Sequence, residues 1–431
     1  MQIEELYRIY RTFPHVSTDT RQIGQDSIFF ALKGVNFNGN AFADQAIAVG
    51  AKYVIIDEPA YKKGENYILV DDVLTTLQEL AKFHRLQLHI PFIGVTGTNG
   101  KTTTKELLYA VLSQKYKTYA TQGNLNNHIG VPLTLLAIDD SYEMAIVEMG
   151  ANHIGEIAFL CGIAQPTHGL ITNVGKAHLE GFGSFEGVKK AKGELYDYLQ
   201  SHKGILFLQR NNQHLSEMAD ARKIEQTITY GLSESNDVFG RLIAADPYLS
   251  IVWQTQDDQR VFEARTNLTG SYNLENFLAA ITVGLHFGID PSEIKQGIES
   301  YVPKNNRSQI TKTGRNTVIA DFYNANASSM SAALDNMSAL SVPHKVVILG
   351  DMFELGDESY EEHCKVVLKA KGLALDRLIF VGEEFYKHKD EHAEFYESTE
   401  SAKEAVASIS DNFVLLKASR GMAFEKLLTI L

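Results

Sequence analysis

The chain has only two cysteines in 431 residues, Cys161 and Cys364, and they lie far apart with no CxxC pair. A disulfide framework and a cysteine-ligated zinc site are both excluded on that count, and a reducing compartment is the natural setting. Proline is scarce as well, at 9 residues against 32 glycines, and hydrophobic residues reach 44%. A disordered or collagen-like chain would show the opposite balance. No stretch approaches the roughly 18 consecutive apolar residues of a membrane span, and the start, Met1-Gln2-Ile3-Glu4-Glu5, is acidic where a secretory signal needs a basic segment and an apolar run. A cytoplasmic protein without membrane insertion is expected. An excess of positive charge is also missing: 53 acids face 40 bases, a net charge of -13. Nucleic acid is therefore not an expected partner, although small anions held by local groups are not excluded.

The length itself, at about 100 to 200 residues per domain, predicts two to four folded units. Apolar Leu74, Leu77, Leu80, Ala81 and Leu88 recur at helical spacing before Pro91. The apolar run Phe92–Val95, a glycine loop and a helical pattern from Thr102 to about Gln114 then open a second unit. Further short apolar runs at 144–147, 169–172 and 205–208 alternate with helical stretches, which predicts a mainly parallel sheet covered by helices. Polar, irregular sequence around Tyr301–Arg307 marks a second boundary, after which strands are expected at 317–320, 346–349, 378–381 and 413–416. The expected fold class is thus α/β, in three domains at 1–90, 91–307 and 308–431.

Between the strand and helix of the second unit lies Thr96-Gly97-Thr98-Asn99-Gly100-Lys101-Thr102-Thr103. Glycines there let main-chain N–H groups approach phosphate oxygens, Lys101 reaches the outer phosphates and the Thr102 hydroxyl can sit on magnesium. The usual first glycine of such a loop is replaced by Val95. Glu148 ends the run Met144–Val147, and the carboxyl ends of strands line the crevice of an α/β sheet, so it is a candidate magnesium ligand. His178, in a glycine-punctuated loop, is a candidate metal ligand or catalytic group, though a lone histidine is more often structural. Lys189-Lys190-Ala191-Lys192 reads as a solvated basic helix face. Asn273 and Asn276 share a helix face and can read a nucleobase edge, and Asp321 at a strand end can hold ribose hydroxyls. Capping and turn roles fit these three equally well.

Taken in this order, the motifs resemble the Mur ligases, ATP-dependent amide-bond-forming enzymes of peptidoglycan precursor synthesis, over nearly the whole chain. Gly123-Asn124-Leu125-Asn126-Asn127-His128, Glu148-Met149-Gly150-Ala151-Asn152-His153, Tyr323-Asn324-Ala325-Asn326 and Leu349-Gly350-Asp351-Met352 carry the resemblance. Within the family they are most similar to the branch that adds D-alanyl-D-alanine to a UDP-N-acetylmuramoyl-tripeptide. The resemblance implies a UDP-binding first domain, a central phosphate-loop ATPase and a Rossmann-like third domain. It also implies ATP and magnesium as ligands, and a monomer. Ser17, Asp19, Arg21 and Lys33 match the UDP-sugar contacts, while Asn126, Asn127, Tyr323, Asn324 and Asn326 match other substrate contacts. Gly97 to Thr103 match the phosphate loop, with Lys101 catalytic, and Asn273, Asn276, Arg307 and Asp321 match contacts to ATP. Thr102, Glu148, His178 and Lys192 match the metal set, with His178 and Lys192 also catalytic and Lys192 carbamylated. Ala320 and Ala327 stand where the family often has an acid and a proline. Another ligase of the family, folylpolyglutamate synthase, and a phosphate-loop switch that only hydrolyses ATP remain as alternatives.

Overall fold

The computed structural model describes residues 2–431. Helix α1 (Ile3–Thr12) precedes a small parallel sheet of β1 (Val16–Ser17), β2 (Ser27–Phe30), β3 (Ala51–Ile56) and β4 (Tyr67–Leu69) in that order. Helix α2 (Val73–Gln87) follows, started by Asp72, whose side chain accepts the Thr75 N–H at 2.7 Å. That bond satisfies one of the donors a helix start leaves free. Leu77, Leu80 and Ala81 form its buried stripe, as their spacing predicted.

The central unit runs through β5 (Phe92–Thr96), α3 (Lys101–Leu112), β6 (Thr118–Ala120), β7 (Met144–Glu148), α4 (Glu156–Ala164), β8 (His168–Ile171), α5 (Phe185–Ser201), β9 (Ile205–Gln209) and β10 (Thr227–Gly231). It is extended by β11 (Val238–Ala245), β12 (Leu249–Thr255) and β13 (Asp258–Arg265), then closed by α6 (Leu274–His286). Among the described residues the sheet order is β13-β12-β11-β10-β9-β8-β5-β7-β6. Strand β5 lies between β7 and β8, parallel to both, so its carboxyl end opens at the point where successive connections leave to opposite sides. Ligand crevices form at such points. Strands β11 to β13 pair antiparallel, an addition the sequence reading did not anticipate. Their residues alternate buried and exposed and include charges such as Arg241, so no continuous apolar run marks them.

The last unit contains β14 (Gln309–Lys312), β15 (Thr317–Asp321), α7 (Ala327–Ala339), β16 (Lys345–Gly350), β17 (Arg377–Val381), β18 (Glu394–Tyr396) and β19 (Phe413–Lys417). The order is β14-β15-β19-β16-β17-β18, parallel except for β14. Among the described residues no helix is long and apolar enough to cross a membrane.

How the units join differs sharply. One buried apolar cluster runs without interruption from Leu6, Tyr10 and Leu80 into Leu136, Ala145 and Leu160, so the first two units share a core. Arg85 is buried in this seam, with its guanidinium 3.8 Å from the centre of the Phe92 ring. It donates to the carbonyls of Leu88, Ala164 and Gln165 at 2.8 to 2.9 Å. Burial draws its pKa down to about 10. The third unit keeps two apolar clusters of its own, one on each sheet face. It meets the central unit through polar links, including Lys176 to Glu358 at 3.2 Å and Asn336 to Thr269 at 3.2 Å.

Calorimetry should therefore show the third unit melting as a separate transition. Replacing Arg85 with Ala leaves two buried carbonyls and one partly buried carbonyl without their donor, a cost of about 3 kcal/mol. The joint transition of the first two units should fall by several degrees while the other stays put.

Candidate active site

The loop between β5 and α3 turns on two glycines. Gly97 has φ +145 and Gly100 has φ +78, conformations that L side chains rarely adopt. A Cβ on Gly97 would meet Thr172 Oγ1 at 2.0 Å, so the residues that follow β8 pack directly against the main chain here. Side chains just after β8 hold the loop in place: Thr172 Oγ1 donates to Asn99 O at 2.6 Å, and Asn173 Oδ1 accepts the Asn99 N–H at 3.0 Å. Lys101 folds back over the loop and donates to Gly97 O at 2.7 Å and Thr98 O at 3.0 Å. Its pKa falls to about 8, chiefly through burial, with Glu148 opposing the shift and the positive charge of Arg307 adding to it.

This loop forms the floor of a cavity of about 900 Å³ at the junction of all three units. Thr102 Oγ1 donates to Glu148 Oε1 at 3.1 Å, and Asn126 Nδ2 donates to the same oxygen at 2.8 Å. The other carboxylate oxygen, Glu148 Oε2, is buried and has no partner. Arg307 enters from the third-unit side, stacked 3.8 Å above the Tyr323 ring, with its Nε buried and unpartnered. A bare carboxylate oxygen, a hydroxyl and a free guanidinium around a phosphate-type loop form a complementary setting for an anion accompanied by a hard cation.

The remaining candidates take up varied positions. Asn273 and Asn276 line the cavity, but their amides brace the protein. Asn276 Nδ2 donates to Asn273 Oδ1 at 2.8 Å, Thr104 donates to Asn276 Oδ1 at 3.1 Å, and Asn273 donates to Thr269 O at 2.7 Å. Asp321 also lines it, held by Lys417 at 2.7 Å. Asn127 Oδ1 accepts the Gly130 N–H at 2.8 Å, and Asn324 accepts the Ala325 N–H at 2.9 Å. Asn326 caps α7 and donates to Asn99 Oδ1 at 2.8 Å, while Asn99 donates to Ser328 Oγ at 2.8 Å. The phosphate loop is thus tied directly to the third unit.

His178, with φ +51, lines the cavity but pairs with Glu354 of the third unit. Among the described residues no three acids, histidines or cysteines gather into a metal site. Lys192 corrects the solvated-face reading of its charge run. On α5 it is 2% exposed, and its Nζ lies 3.3 Å from Ala151 O. Burial, reinforced by nearby Lys101, holds its pKa well below the usual lysine range. Lys190 two residues earlier is exposed, because the helix turns it to the opposite side.

Ser17, Asp19, Arg21 and Lys33 stand apart from the cavity in the first unit. Ser17 Oγ donates to Asp19 O at 2.9 Å, Arg21 pairs with Asp19 at 2.7 Å, and Lys33 pairs with Asp57 at 3.0 Å. Lys417 and Asn173 are among the cavity-lining groups that the sequence reading did not single out. Lys417 ends β19 in register with Asp321, and its place one residue beyond a recognised apolar run was the available signal. Asn173 was legible only as part of a glycine-rich loop.

Comparison with known proteins bears on this geometry. The Mur ligase family, catalytic domain, matches residues 12–85, the Mur ligase middle domain matches 95–284, and the Mur ligase, glutamate ligase domain, matches 306–424. UDP-N-acetylmuramoyl-tripeptide--D-alanyl-D-alanine ligase of Bacillus subtilis is 35% identical over 96% of this chain and 92% of its own. The chain belongs to the Mur ligase family. The Escherichia coli ligase with the same name is 34% identical over 86% of this chain and 82% of its own. Among solved Mur ligases, MurF from Acinetobacter baumannii superposes with a TM-score of 0.86 at 31% identity, covering 96% of this chain and 93% of its own. MurF ligase from Thermotoga maritima in complex with ADP gives 0.84 at 25% identity, covering 96% of both chains.

In this Mur ligase the loop glycines make a sharp test. A Cβ on Gly100 would lie 2.9 Å from Asn276 Oδ1, whereas Gly123, with φ +55, has open space around it. Both alanine variants meet the same backbone penalty of about 1 kcal/mol. Gly100→Ala should weaken ATP binding at least tenfold in a fluorescent-nucleotide titration, and Gly123→Ala should bind as the unsubstituted protein does.

Proposed function

We propose that this protein is an ATP-dependent amide-bond ligase that adds D-alanyl-D-alanine to UDP-N-acetylmuramoyl-tripeptide, the reaction named for its Bacillus subtilis and Escherichia coli relatives. The observation that carries this reading is a single cavity holding a phosphate loop, an unpaired carboxylate oxygen and an unpaired guanidinium at the meeting point of three units. The division of labour follows the expected boundaries: 1–90 for the UDP end of the acceptor, 91–307 for ATP and 308–431 for the incoming dipeptide.

The chemical problem is that a carboxylate resists amines, because its leaving group would be oxide. Passing the γ-phosphoryl group of ATP to the terminal carboxylate of the tripeptide gives an acyl phosphate. The dipeptide amine then attacks the carbonyl, loses a proton and expels phosphate. The first step brings two anions together, and Lys101 and Arg307 stand where that charge has to be neutralised. In donating to phosphate oxygens, Lys101 would exchange the carbonyls of Gly97 and Thr98 for a charged partner, which favours the ammonium form that burial opposes. The asparagine braces keep loop and helix start aligned while this occurs, and Asp321 with Lys417 holds the facing wall.

The bare Glu148 oxygen and the adjacent Thr102 hydroxyl fit a magnesium ion, which when bound supplies further neutralisation of phosphate charge. His178 would complete that set by exchanging its present partner Glu354. Lys192 fits the carbamate role expected from the family. Burial disfavours the ammonium form of this lysine; once deprotonated, Nζ can attack carbon dioxide, and loss of a proton from the product leaves an anion where an ammonium would otherwise stand. A cytoplasmic, monomeric enzyme remains part of this reading.

Phosphate release is the test. It should require both the tripeptide acceptor and D-alanyl-D-alanine, whereas release with ATP alone would signal a switch. Lys192→Ala should lose ligation by several orders of magnitude, with added acetate or formate restoring part of it. Full activity, or no restoration, would remove the carbamate.

A further inference from the structure

One stretch of the cavity lining is apolar. Ile154 and Phe159 project into the cavity and are 45% and 47% exposed, unusual for large apolar side chains inside a polar site. Leu160, fully buried beneath, and Leu74 from α2 of the first unit complete an apolar wall. The backbone carrying this wall is fixed. Glu156 Oε2 accepts the N–H groups of Asn152 and His153 at 2.6 and 3.0 Å. Glu194 on α5 accepts those of Gly155 and Ala158 at 2.6 and 2.9 Å. Four main-chain donors are satisfied so that two apolar side chains face the cavity, which is costly to arrange for a surface with no occupant.

Resting on the function proposed above, we infer that this wall receives the long aliphatic side-chain stem of the third residue of the acceptor tripeptide. The acceptor is tethered at its UDP end to the first unit, and its reacting carboxylate has to reach Lys101. The segment between must therefore pass α2, where Leu74 lies, before it meets the loop. The residue bearing the reacting carboxylate is the third, and its side chain leaves the Cα next to that carboxylate. Ile154 and Phe159 belong to the central unit and Leu74 to the first, whereas Tyr323, with Arg307 stacked on it, lines the same cavity from the third unit, proposed above to receive the incoming amine. Of the groups that enter the cavity, phosphates, carboxylates and an amine are all polar. The methylene stem is the large apolar surface that seeks a dry partner. The wall thereby distinguishes acceptors by the length of that stem.

The test is steady-state kinetics on the full-length protein with two acceptors, one carrying lysine and one alanine in the third position. Phe159→Ala should raise the KM for the lysine acceptor about tenfold, leaving the KM values for ATP and D-alanyl-D-alanine within twofold. The alanine acceptor should show a similar increase on the unsubstituted protein and no further increase on the variant. Phe159→Leu should retain most of the affinity, separating lost contact from misfolding, and circular dichroism should be unchanged because the ring is half exposed. A rise in KM for the dipeptide instead would give the wall to the other substrate and overturn the inference. So would equal losses by both acceptors, or no change. Absence of any ligation by the unsubstituted protein would overturn the reaction itself, and the inference with it.

Discussion

The site depends on charges held without partners of opposite sign. Lys101 is anchored by two main-chain carbonyls, Glu148 keeps one buried oxygen bare, and Arg307 lies on an aromatic face with a free Nε. Each arrangement is poor for the protein alone, since buried polar groups lacking full partners cost free energy that a ligand can return. The surrounding structure exists to maintain it. Two glycines with positive φ, Thr172, Asn173 and the Asn273–Asn276 pair fix the loop around the Lys101 ammonium.

The same economy explains the different seams. The first two units are fused by a continuous core and by Arg85, so the first unit, proposed to anchor the acceptor, and the phosphate loop keep a constant separation. The third unit is held by hydrogen bonds and ion pairs, which water can replace one by one. A ligase that must admit three substrates and then exclude water from an acyl phosphate needs one rigid joint and one that opens. Asn99 sits on that second joint, bonded to Asn326 and Ser328 across the gap, so loop and closure are physically linked.

Much of this was legible in the sequence. Every apolar run read as a strand is a strand, with ends shifted by a residue or two, because parallel strands buried on both faces must be apolar throughout. The phosphate loop announced itself through glycine spacing, and Val95, in place of the usual first glycine, lies in the buried strand before it. What escaped was whatever depends on distance in space. The antiparallel strands after β10 alternate too weakly to show. Lys192 looked solvated because a charge run says nothing of which face a helix buries. Arg85 is an ordinary polar residue until its carbonyl partners at Ala164 and Gln165, 79 and 80 positions away, are known. Asn273, Asn276 and Asn326 fit both a ligand-contact and a bracing reading; in the folded chain their amides act as braces at the rim of the site.

The central claim is that the cavity unites ATP and a carboxylate so that phosphate leaves carrying an oxygen from the acceptor. Labelling both terminal carboxylate oxygens of the tripeptide with oxygen-18 and analysing the phosphate after one round of ligation tests this directly. The account predicts that each phosphate released carries one labelled oxygen and each new amide retains the other. Unlabelled phosphate accompanying ligated product would contradict it, since the carboxylate would then never have been the phosphoryl acceptor.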